Sequence, residues 1–422
     1  MDERATIAAI STAPGRGGVA VVRVSGPDAL AIASALAGRA IGPGRRFFHV
    51  VLCHRGRILD DGLVLVFRAP ASYTGEDVVE FQTHGGTMAP RRVLDTCLEC
   101  GARLARRGEF TQRAFLNGRI GFSEAEAAID LIDAKTERAA ADAAARLDGA
   151  ENRANAELYE RALDLSARLE HALDVSEDEL PSSYLAETES AVDGLLQAVA
   201  AAARRLREGK ILREGALVVL AGPPNAGKSS LLNALLGEQR AIVSDVAGTT
   251  RDLIEEWLDI DGWPVRLVDT AGIREAGDAI EAEGVRRAEE LVARADVVVA
   301  LDADLPGSLR IHSKCDISRG EDLNVSAKTG EGLDALRSAI AARLAEKADT
   351  GGTGAVPSKA EAGLDALLAA GEALRLARDG LPDVVLAANG VRKAADHLGR
   401  LAGRVYSDDL LENLFSRFCV GK

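Results

Sequence analysis

Residues 222–229 have the composition and spacing of a phosphate-binding loop. The run Gly-Pro-Pro-Asn-Ala-Gly-Lys-Ser fits G-x-x-x-x-G-K-[ST], after an apolar segment predicted as a strand and before a predicted helix. Glycine lets backbone N–H groups approach an anion at the positive end of that helix. We expect Lys228 to reach the β- and γ-phosphates of a nucleotide and the Ser229 hydroxyl to bind Mg²⁺. The nucleotide contacts predicted in this loop are Asn225, Ala226, Gly227, Lys228, Ser229 and Ser230.

Two later segments are typical of loops that respond to a γ-phosphate. Val268-Asp-Thr-Ala-Gly272 ends an apolar run, which places Asp269 to hold Mg²⁺ through water and the Gly272 N–H to contact the γ-phosphate. Gly248-Thr-Thr-Arg-Asp252 offers Thr250 as an Mg²⁺ ligand. Further nucleotide contacts predicted in and near these segments are Ser244, Thr249, Thr270 and Ala271. The pattern predicts a GTPase-type switch.

Recognition of guanine requires a carboxylate that accepts hydrogen bonds from N1–H and the exocyclic amine, and a donor for O6. Ser313-Lys-Cys-Asp316 and, ten residues later, Ser326-Ala-Lys328 supply both in the order found in GTPases. The residues expected around the base are Lys314, Asp316, Ser326 and Ala327. Each short motif alone is a trivial match. Five elements in the right order predict GTP binding and hydrolysis, with Lys228 and Asp269 in the catalytic machinery.

Two features differ from Ras-like GTPases. Gly272 is followed by Ile273, an apolar residue that cannot orient the attacking water as glutamine does in Ras. Asn225 could coordinate a monovalent cation through its side-chain oxygen. A bound K⁺ would then supply the positive charge that an arginine finger supplies elsewhere.

The overall charge limits the partners of the chain. In 422 residues, 51 basic and 65 acidic side chains give a formal charge of −14, so any contact with RNA must be local. The candidate basic clusters are Arg103, Arg106, Arg107 and Arg113, then Arg204, Arg205, Arg207, Lys210 and Arg213. Such clusters are more often solvated helix faces. No apolar run reaches the ~20 residues that span a bilayer, and no signal peptide is evident, so we expect a cytoplasmic protein without membrane association.

Hydrophobic periodicity indicates several domains. The N-terminal region contains a helical segment over residues 28–36 and five short predicted strands, at residues 6–10, 19–24, 47–53, 63–67 and 78–82. A capping box, Ser123-Glu-Ala-Glu126, then begins long helices that continue almost to Lys210.

The predicted fold class is multidomain, α/β plus all-α. The predicted regions are an α+β domain at 1–118, helices at 119–211, a Ras-like P-loop domain at 212–346 and further helices at 347–422. In the simplest topology the two helical segments pack together as one bundle, and the P-loop domain is inserted between them.

Several motifs outside the nucleotide loops are highly specific. They are Pro14-Gly-Arg-Gly-Gly18 with Arg23, Tyr73-Thr-Gly-Glu-Asp77 with Glu80, Gly108-Glu-Phe110, Arg113-Ala-Phe-Leu-Asn117 and the tail Phe418-Cys-Val-Gly-Lys422. Together with the nucleotide motifs, they make the chain resemble the bacterial tRNA modification GTPases of the MnmE (TrmE) family over essentially its full length.

The resemblance implies a homodimer joined by folate-binding-like N-terminal domains. The expected one-carbon donor is 5,10-methylenetetrahydrofolate, with 5-formyltetrahydrofolate as an analogue. The family acts with an FAD-containing partner, the MnmG protein, in a heterotetramer. Together they build a carboxymethylaminomethyl group at C5 of the wobble uridine of certain tRNAs. Hydrolysis of GTP in this family depends on K⁺, and FAD belongs to the partner rather than to this chain.

Site residues carried over by the resemblance fall in three groups. The K⁺ ligands would be Asn225, Ser244, Val246 through its carbonyl, and Thr249. The Mg²⁺ ligands would be Ser229 and Thr250. Glu281 would position the attacking water. The folate contacts would be Arg23, Glu80, Arg119 and Lys422, with Arg119 where the family usually has lysine. Cys419 is the family's tail cysteine, either a reactive thiol near the folate or a buried structural one.

Two departures from the family concern the guanine side. Ser313 stands where asparagine or threonine is usual, so an amide that braces the phosphate-binding loop is expected to be lost. Residues 305–310 are too few for the helix and full strand that the family has there, so one helix is expected to be missing. Two alternatives stay open: a GTP-gated switch that binds RNA or the ribosome without modification chemistry, and a helical scaffold with a degenerate nucleotide domain.

Overall fold

The computed structural model describes residues 5–42, 46–174, 183–238, 255–269, 286, 289–350, 361–381, 383–401 and 415–421. The chain divides into two compact units. Unit 1 comprises Met1–Ile129 and Val405–Lys422, and unit 2 comprises Asp130–Arg404. The combination of mixed α/β and helical regions predicted from the sequence is confirmed.

The regular elements follow in chain order. The helices are α1 (Ala29–Ala37), α2 (Met88–Glu99), α3 (Glu109–Leu116), α4 (Phe122–Asp133), α5 (Glu137–Leu147), α6 (Ala150–Asp174), α7 (Tyr184–Glu214), α8 (Lys228–Glu238), α9 (Leu333–Thr350), α10 (Glu361–Asp379) and α11 (Val384–Leu401). The strands are β1 (Ile7–Ile10), β2 (Val19–Ser25), β3 (Arg46–His54), β4 (Arg57–Phe67), β5 (Val78–His84), β6 (Arg103–Leu104), β7 (Ala216–Ala221), β8 (Glu255–Ile260), β9 (Trp263–Asp269), β10 (Val297–Leu301), β11 (Leu309–Ser313) and β12 (Leu323–Val325).

Unit 1 is built on a six-stranded sheet with the order β3-β4-β5-β2-β1-β6. All neighbours are antiparallel except β1 and β6. Strand residues alternate between the two faces, and one face buries Val22, Val79 and Phe81 in the core with α1 and α2. All five predicted strands are present. β4 begins earlier than the predicted residue 63, because the segment from Arg57 onwards pairs with β3 in a long hairpin.

Glu109, the first residue of α3, is the centre of a buried ion-pair cluster. Its carboxylate is 3% exposed, contacts the guanidinium groups of Arg103 and Arg113, and accepts the Arg106 N–H at 2.9 Å. Burial by itself raises the pKa of Glu109, but the Arg103 hydrogen bond, the Arg106 N–H and the charges of Arg103 and Arg113 lower it to about 2. Two arginines of the first candidate RNA-binding cluster, Arg103 and Arg113, therefore form ion pairs with an internal acid.

Four helices of unit 2 share one apolar core. Leu165 of α6, Leu195 of α7, Leu374 of α10 and Leu398 of α11 are each at most 3% exposed within it. Gly390 lets two of these helices approach closely, since a Cβ there would lie 2.7 Å from the Cβ of Ala377. Two helices that precede the second sheet in the sequence and two that follow it thus bury a common apolar surface.

The second sheet has the order β12-β11-β10-β7-β9-β8. All neighbours are parallel except β8 and β9. Strand β7 is buried at all six residues. Such continuous burial is typical of a central parallel strand covered on both faces.

The turn between β8 and β9 is held by α5. The Thr136 hydroxyl caps this helix by accepting the Ala139 N–H and donates to the Gly262 carbonyl at 2.8 Å. The Arg138 guanidinium lies 4.0 Å from the centroid of the Trp263 ring. Ala139 is itself buried in the core of the second sheet. The helical segment and this hairpin therefore form one packed region.

The capping box predicted at Ser123 does not coincide with the start of the helix. Helix α4 already begins at Phe122, and the Gly121 carbonyl accepts the Ala125 N–H, so Ser123 lies inside the first turn. Phe122 packs against the cluster that contains Phe415 and Phe418, and the helix begins two residues before Glu124, the first helical residue that a cap at Ser123 would give.

The Glu109 cluster predicts a pH-dependent stability. Replacing Glu109 by glutamine should lower the free energy of unfolding at neutral pH by roughly 3–5 kcal/mol, the usual cost of breaking a buried ion pair. Because the folded pKa of about 2 lies below the ordinary 4.5, the contribution is complete above about pH 4.5 and is lost as the pH falls towards 2. The difference between wild type and Glu109→Gln in urea denaturation should shrink over that window.

A matched control is Glu99→Gln, whose side chain is 53% exposed. It should change the unfolding free energy little at any pH. A difference between wild type and Glu109→Gln that stays constant from pH 5 to pH 2 would contradict the assignment.

Candidate functional site

The phosphate-binding loop emerges from the carboxyl end of β7 and ends at α8. Gly222 has a φ of +152°, and a Cβ there would lie 2.4 Å from the Leu301 carbonyl oxygen of the neighbouring strand. Gly227 also has a positive φ, +92°. Only glycine fits at residue 222, because the backbone must pass directly over the end of β10. The two glycines of the motif are thus explained by the local backbone.

Lys228 and Ser229 are the first two residues of α8, at the point where the loop ends. The Lys228 ammonium donates to the carbonyls of Gly222 and Pro223 at 3.0 and 2.9 Å, and the residue is 5% exposed. The Ser229 hydroxyl lies 2.5 Å from a carboxylate oxygen of Asp269. Because β7 and β9 are parallel neighbours, with Leu220 opposite Asp269, this carboxylate reaches the start of α8. The oxygens of a hydroxyl and a carboxylate are donors that suit Mg²⁺.

A cavity of about 300 Å³ lies beside the loop, between its Gly227 and the ends of β11 and β12. Lys314, Asp316, Ala327 and Lys328 line it. Its dimensions and polar groups suit a purine base.

Asp316 presents an ionised carboxylate to this cavity. Its Oδ1 accepts the hydroxyl of the fully buried Ser326 at 2.7 Å. This hydrogen bond, with the positive charges of Lys328 and Lys314, lowers the pKa of Asp316. A carboxylate held in the ionised form can only accept hydrogen bonds, which is what guanine N1–H and its amino group require.

Ser313 has no amide, as expected, but its hydroxyl contacts the phosphate-binding loop. The Ser313 hydroxyl lies 2.7 Å from the Ala226 carbonyl oxygen, and the Lys314 ammonium donates to the Asn225 carbonyl at 2.7 Å. Because β11 ends close to the loop, the short serine side chain reaches where an amide was expected. Two consecutive residues therefore hold two consecutive carbonyls of the phosphate-binding loop.

The missing helix is confirmed. Residues 302–308 join two parallel strands, β10 and β11, without a helix, through a turn in which Ser308 N–H donates to the Leu305 carbonyl. Strand β11 itself is present, in register with β10 from Leu309 onwards. The guanine-side residues keep their strand, although the crossover is shorter than parallel pairs usually need.

Several predicted site residues lie outside the described part of the chain and remain predictions. They are Ser244, Val246, Thr249, Thr250, Thr270, Ala271, Gly272, Glu281 and Lys422.

A second group of predicted residues meets on the sheet of unit 1. The Arg23 Nε donates to Glu80 at 2.8 Å, and both side chains are 17% exposed. The Arg23 guanidinium lies 5.2 Å from the Tyr73 ring centroid and 5.6 Å from that of Phe110. The carbonyl of Gly421, in the tail, lies 3.5 Å from Arg23 Nη1. A cation, an anion and two aromatic rings therefore share one small region.

The other predicted folate contacts surround this pair less closely. Arg119 donates to the Ser72 carbonyl at 3.1 Å, beside Tyr73, and is itself exposed. Cys419 is exposed, which favours the accessible thiol over the buried one. Its carbonyl accepts the Gly108 N–H at 3.5 Å, so the tail runs along the start of α3.

The sequence reasoning missed Tyr73 and Phe110 as partners of Arg23. Both lie inside motifs that it singled out, Tyr73 to Asp77 and Gly108 to Phe110. In each motif the aromatic residue lies two positions from a glycine, and this pattern could have indicated an aromatic contact for Arg23.

Comparison with known proteins identifies the family. Residues 6–119 match the family described as "GTP-binding protein TrmE N-terminus", and residues 122–419 match "MnmE helical domain". The chain belongs to the MnmE family. The resemblance expected from the sequence motifs is thereby confirmed.

Curated relatives in the MnmE family align over the whole chain. A protein of Alkalilimnicola ehrlichii named "tRNA modification GTPase MnmE" is 44% identical over 449 residues, covering 99% of this chain and 100% of that protein. Proteins of the same name from Neisseria gonorrhoeae and Symbiobacterium thermophilum are each 42% identical, covering 100% and 99% of this chain. Among the described residues of this MnmE-family chain, no helix is long and apolar enough to cross a membrane.

The Asp316 geometry predicts a change of base preference. Asp316→Asn replaces an acceptor by a donor, so guanine should bind at least tenfold more weakly, which corresponds to roughly 1.4 kcal/mol. Xanthine, which presents an oxygen where guanine has its amino group, should bind the variant better than the wild type. Equilibrium titration with guanosine and xanthosine diphosphates measures both. An unchanged ratio of the two affinities would remove Asp316 from base recognition.

Proposed function

We propose that this chain is a GTP hydrolase whose cycle drives tRNA modification. With an FAD-dependent MnmG-type partner, it forms the carboxymethylaminomethyl group at C5 of the wobble uridine of certain tRNAs, using a tetrahydrofolate one-carbon unit. The observation that carries the nucleotide part is the meeting of Lys228, the Ser229–Asp269 pair and the ionised Asp316 at one edge of the second sheet. We propose the cytoplasm as its location and a homodimer in a heterotetramer as its assembly.

The residues of the loop support phosphate binding in the following way. Lys228 is already held by two carbonyls, so its ammonium is positioned before the β- and γ-phosphates arrive. Ser229 and Asp269 offer oxygens to Mg²⁺, and Thr250 would add another. The metal, when bound, neutralises charge between the phosphates. Glu281 would orient the attacking water directly or through a second water, since Ile273 cannot.

A monovalent cation is proposed beside the same loop. Asn225 has a φ of +63°, in the left-handed region, and the residue is exposed. The other proposed K⁺ ligands are Ser244, Val246 and Thr249. The cation would add positive charge near the leaving phosphate, in the manner of an arginine finger.

The Arg23–Glu80 pair supports folate binding to unit 1. A pterin ring presents hydrogen-bond donors that suit the Glu80 carboxylate, while Arg23 and Arg119 suit the anionic glutamate tail of the ligand. Tyr73, which is partly exposed, flanks Arg23 and supplies a ring surface for a flat heterocycle, while the fully buried Phe110 ring supports the Arg23 guanidinium from the core. Both unit 1 arginines lie next to the loop around Tyr73, so one ligand can reach them.

The proposed homodimer is supported by the open face of the unit 1 sheet. Phe47, Val51 and Leu63 are 79%, 46% and 36% exposed there. The register of the strands puts Phe47, Leu65 and Glu80 side by side, so this apolar face continues to the proposed folate site. Exposed apolar surface of this kind is typical of protein interfaces.

Cation dependence tests the proposed GTPase. GTP turnover should be markedly faster in KCl than in NaCl at equal ionic strength, because K⁺ would stabilise charge that develops in the transition state. Steady-state phosphate release measures it. Asn225→Ala is the matched variant and should make the rates in the two salts equal. Equal rates in the wild type would exclude the proposed K⁺ site.

Folate binding separates the modification enzyme from a GTP-gated switch. We expect 5-formyltetrahydrofolate to bind the wild type and to bind Glu80→Ala at least tenfold more weakly, because a charged hydrogen bond is lost. Isothermal titration calorimetry measures both. Glu99→Ala, a change of an exposed acid on α2, is the control and should bind as the wild type does. If the wild type binds no reduced folate, the modification chemistry is rejected in favour of the switch.

A further inference from the structure

Asp302 follows β10 directly and points at the end of the neighbouring strand. Its φ is +49°, a value that residues other than glycine seldom adopt. Its N–H donates to the Ile311 carbonyl at 3.0 Å, and its Oδ1 accepts the Ser313 N–H at 3.1 Å. The short connection after β10 therefore turns so that the carboxylate faces Ser313, although the side chain remains 33% exposed.

The Ser313 hydroxyl lies between two acceptors. One is the Ala226 carbonyl oxygen of the phosphate-binding loop at 2.7 Å, and the other is Asp302 Oδ2 at 2.5 Å. A serine hydroxyl has one proton, which it shares between the two or gives to one of them. Ser313 is 9% and Ala226 is 6% exposed, so little water reaches this contact. The position of the hydroxyl is thus set by Asp302 as well as by the loop.

His312 holds the same carboxylate from another side. Its Nδ1 lies 3.0 Å from Asp302 Oδ1, while its Nε2 lies 2.9 Å from the Ser318 carbonyl oxygen. Gly320 packs on the ring, since a Cβ there would lie 2.7 Å from His312 Cγ. The Asp302 carboxylate is consequently held by the His312 ring as well as by the Ser313 N–H.

We propose that Asp302 is a positioning residue for nucleotide binding. It orients the Ser313 hydroxyl, which holds the Ala226 carbonyl and with it the adjoining N–H groups that face the phosphates. This role deepens the proposed function, on which it rests. Asp302 acts through Ser313 and does not itself contact the nucleotide.

The hydrogen-bond count distinguishes two substitutions at this position. In Asp302→Asn the amide oxygen accepts the Ser313 N–H, and the amide N–H donates to the Ser313 oxygen. The serine proton then goes wholly to the Ala226 carbonyl, so the brace is kept. In Asp302→Ala both contacts with residue 302 are lost, so the Ala226 carbonyl alone is left to hold the hydroxyl and its position is less well fixed.

The experiment measures GDP affinity and the kcat and KM of GTP hydrolysis for variants of the full-length chain. Ser313→Ala and Asp302→Ala should each weaken GDP binding roughly 3- to 10-fold, the usual range for one lost hydrogen bond. The KM for GTP should rise with little change in kcat, because the loop contacts the phosphates in the ground state and the transition state alike. Asp302→Asn should stay within about twofold of the wild type.

A double-mutant cycle tests the route of action. Since Asp302 acts through Ser313, Asp302→Ala should add little to the defect of Ser313→Ala. Asp304→Ala is the matched control, because Asp304 lies in the same connection, is 86% exposed and should have no effect. Additive losses, or an Asp302→Asn defect as large as that of Asp302→Ala, would overturn the proposal.

These measurements distinguish a variant that does not fold, a wrong proposed function and a wrong role for Asp302. Urea denaturation monitors the folding of each variant. If Asp302→Ala does not fold, Ser313→Ala and Asp302→Asn decide, and wild-type affinity in Ser313→Ala overturns the inference. If the wild type binds no guanine nucleotide, the proposed function itself fails. Normal binding by the wild type and by every variant rejects only the role of Asp302.

Discussion

The chemistry of this chain depends on holding a glycine-containing backbone loop in one conformation next to a multiply charged anion. Glycine permits that conformation but loses more conformational freedom on folding than any other residue, so the loop must be fixed from outside. Strand β7, buried along its whole length, supplies the base. The end of β10 limits the path of Gly222, and Ser313 and Lys314 hold the carbonyls of Ala226 and Asn225. Because the backbone of the loop is fixed in this way, the Lys228 ammonium and the Ser229 hydroxyl are held in position.

The same sheet connects the loop to the helices. Helix α7 ends at Gly215, and β7 follows directly. Gly215 has a φ of +73°, and its lack of a side chain leaves room for Trp257, since a Cβ there would lie 2.3 Å from that ring. The β8–β9 turn is then held by Thr136 and Arg138 of α5. The two predicted switch segments lie in sequence before β8 and after β9. The hairpin that joins them in sequence therefore packs directly on a helical region of unit 2.

What could be predicted from sequence was what depends on local spacing. The phosphate-binding loop, the carboxylate at the end of β9 and the absence of a helix before β11 are each determined within a few residues. The hydroxyl contact of Ser313 was not predicted, because whether a short side chain at the end of β11 reaches the loop depends on how close it comes to Ala226, 87 residues away in the chain. The first basic cluster was another such case. The spacing of Glu109 and Arg113 allows an ion pair along one helix, but only the tertiary structure shows that the Glu109 carboxylate is buried and that Arg103 pairs with it as well. Packing of Phe122 likewise moved the start of α4 away from its capping motif.

The tail shows how far such long-range contacts extend. Gly421 accepts a hydrogen bond from Ser11, 410 positions away in sequence, and lies beside Arg23. A Cβ at Gly421 would lie 2.4 Å from the Ile10 carbonyl oxygen, so the tail must pass the end of β1 as a glycine. The entropic cost of closing a loop rises only slowly with its length, which makes this return affordable once the intervening residues have folded into unit 2. The Arg23–Glu80 region is therefore complete only when the last residues of the chain have docked on the first strands, and the proposed folate site requires the intact C-terminus.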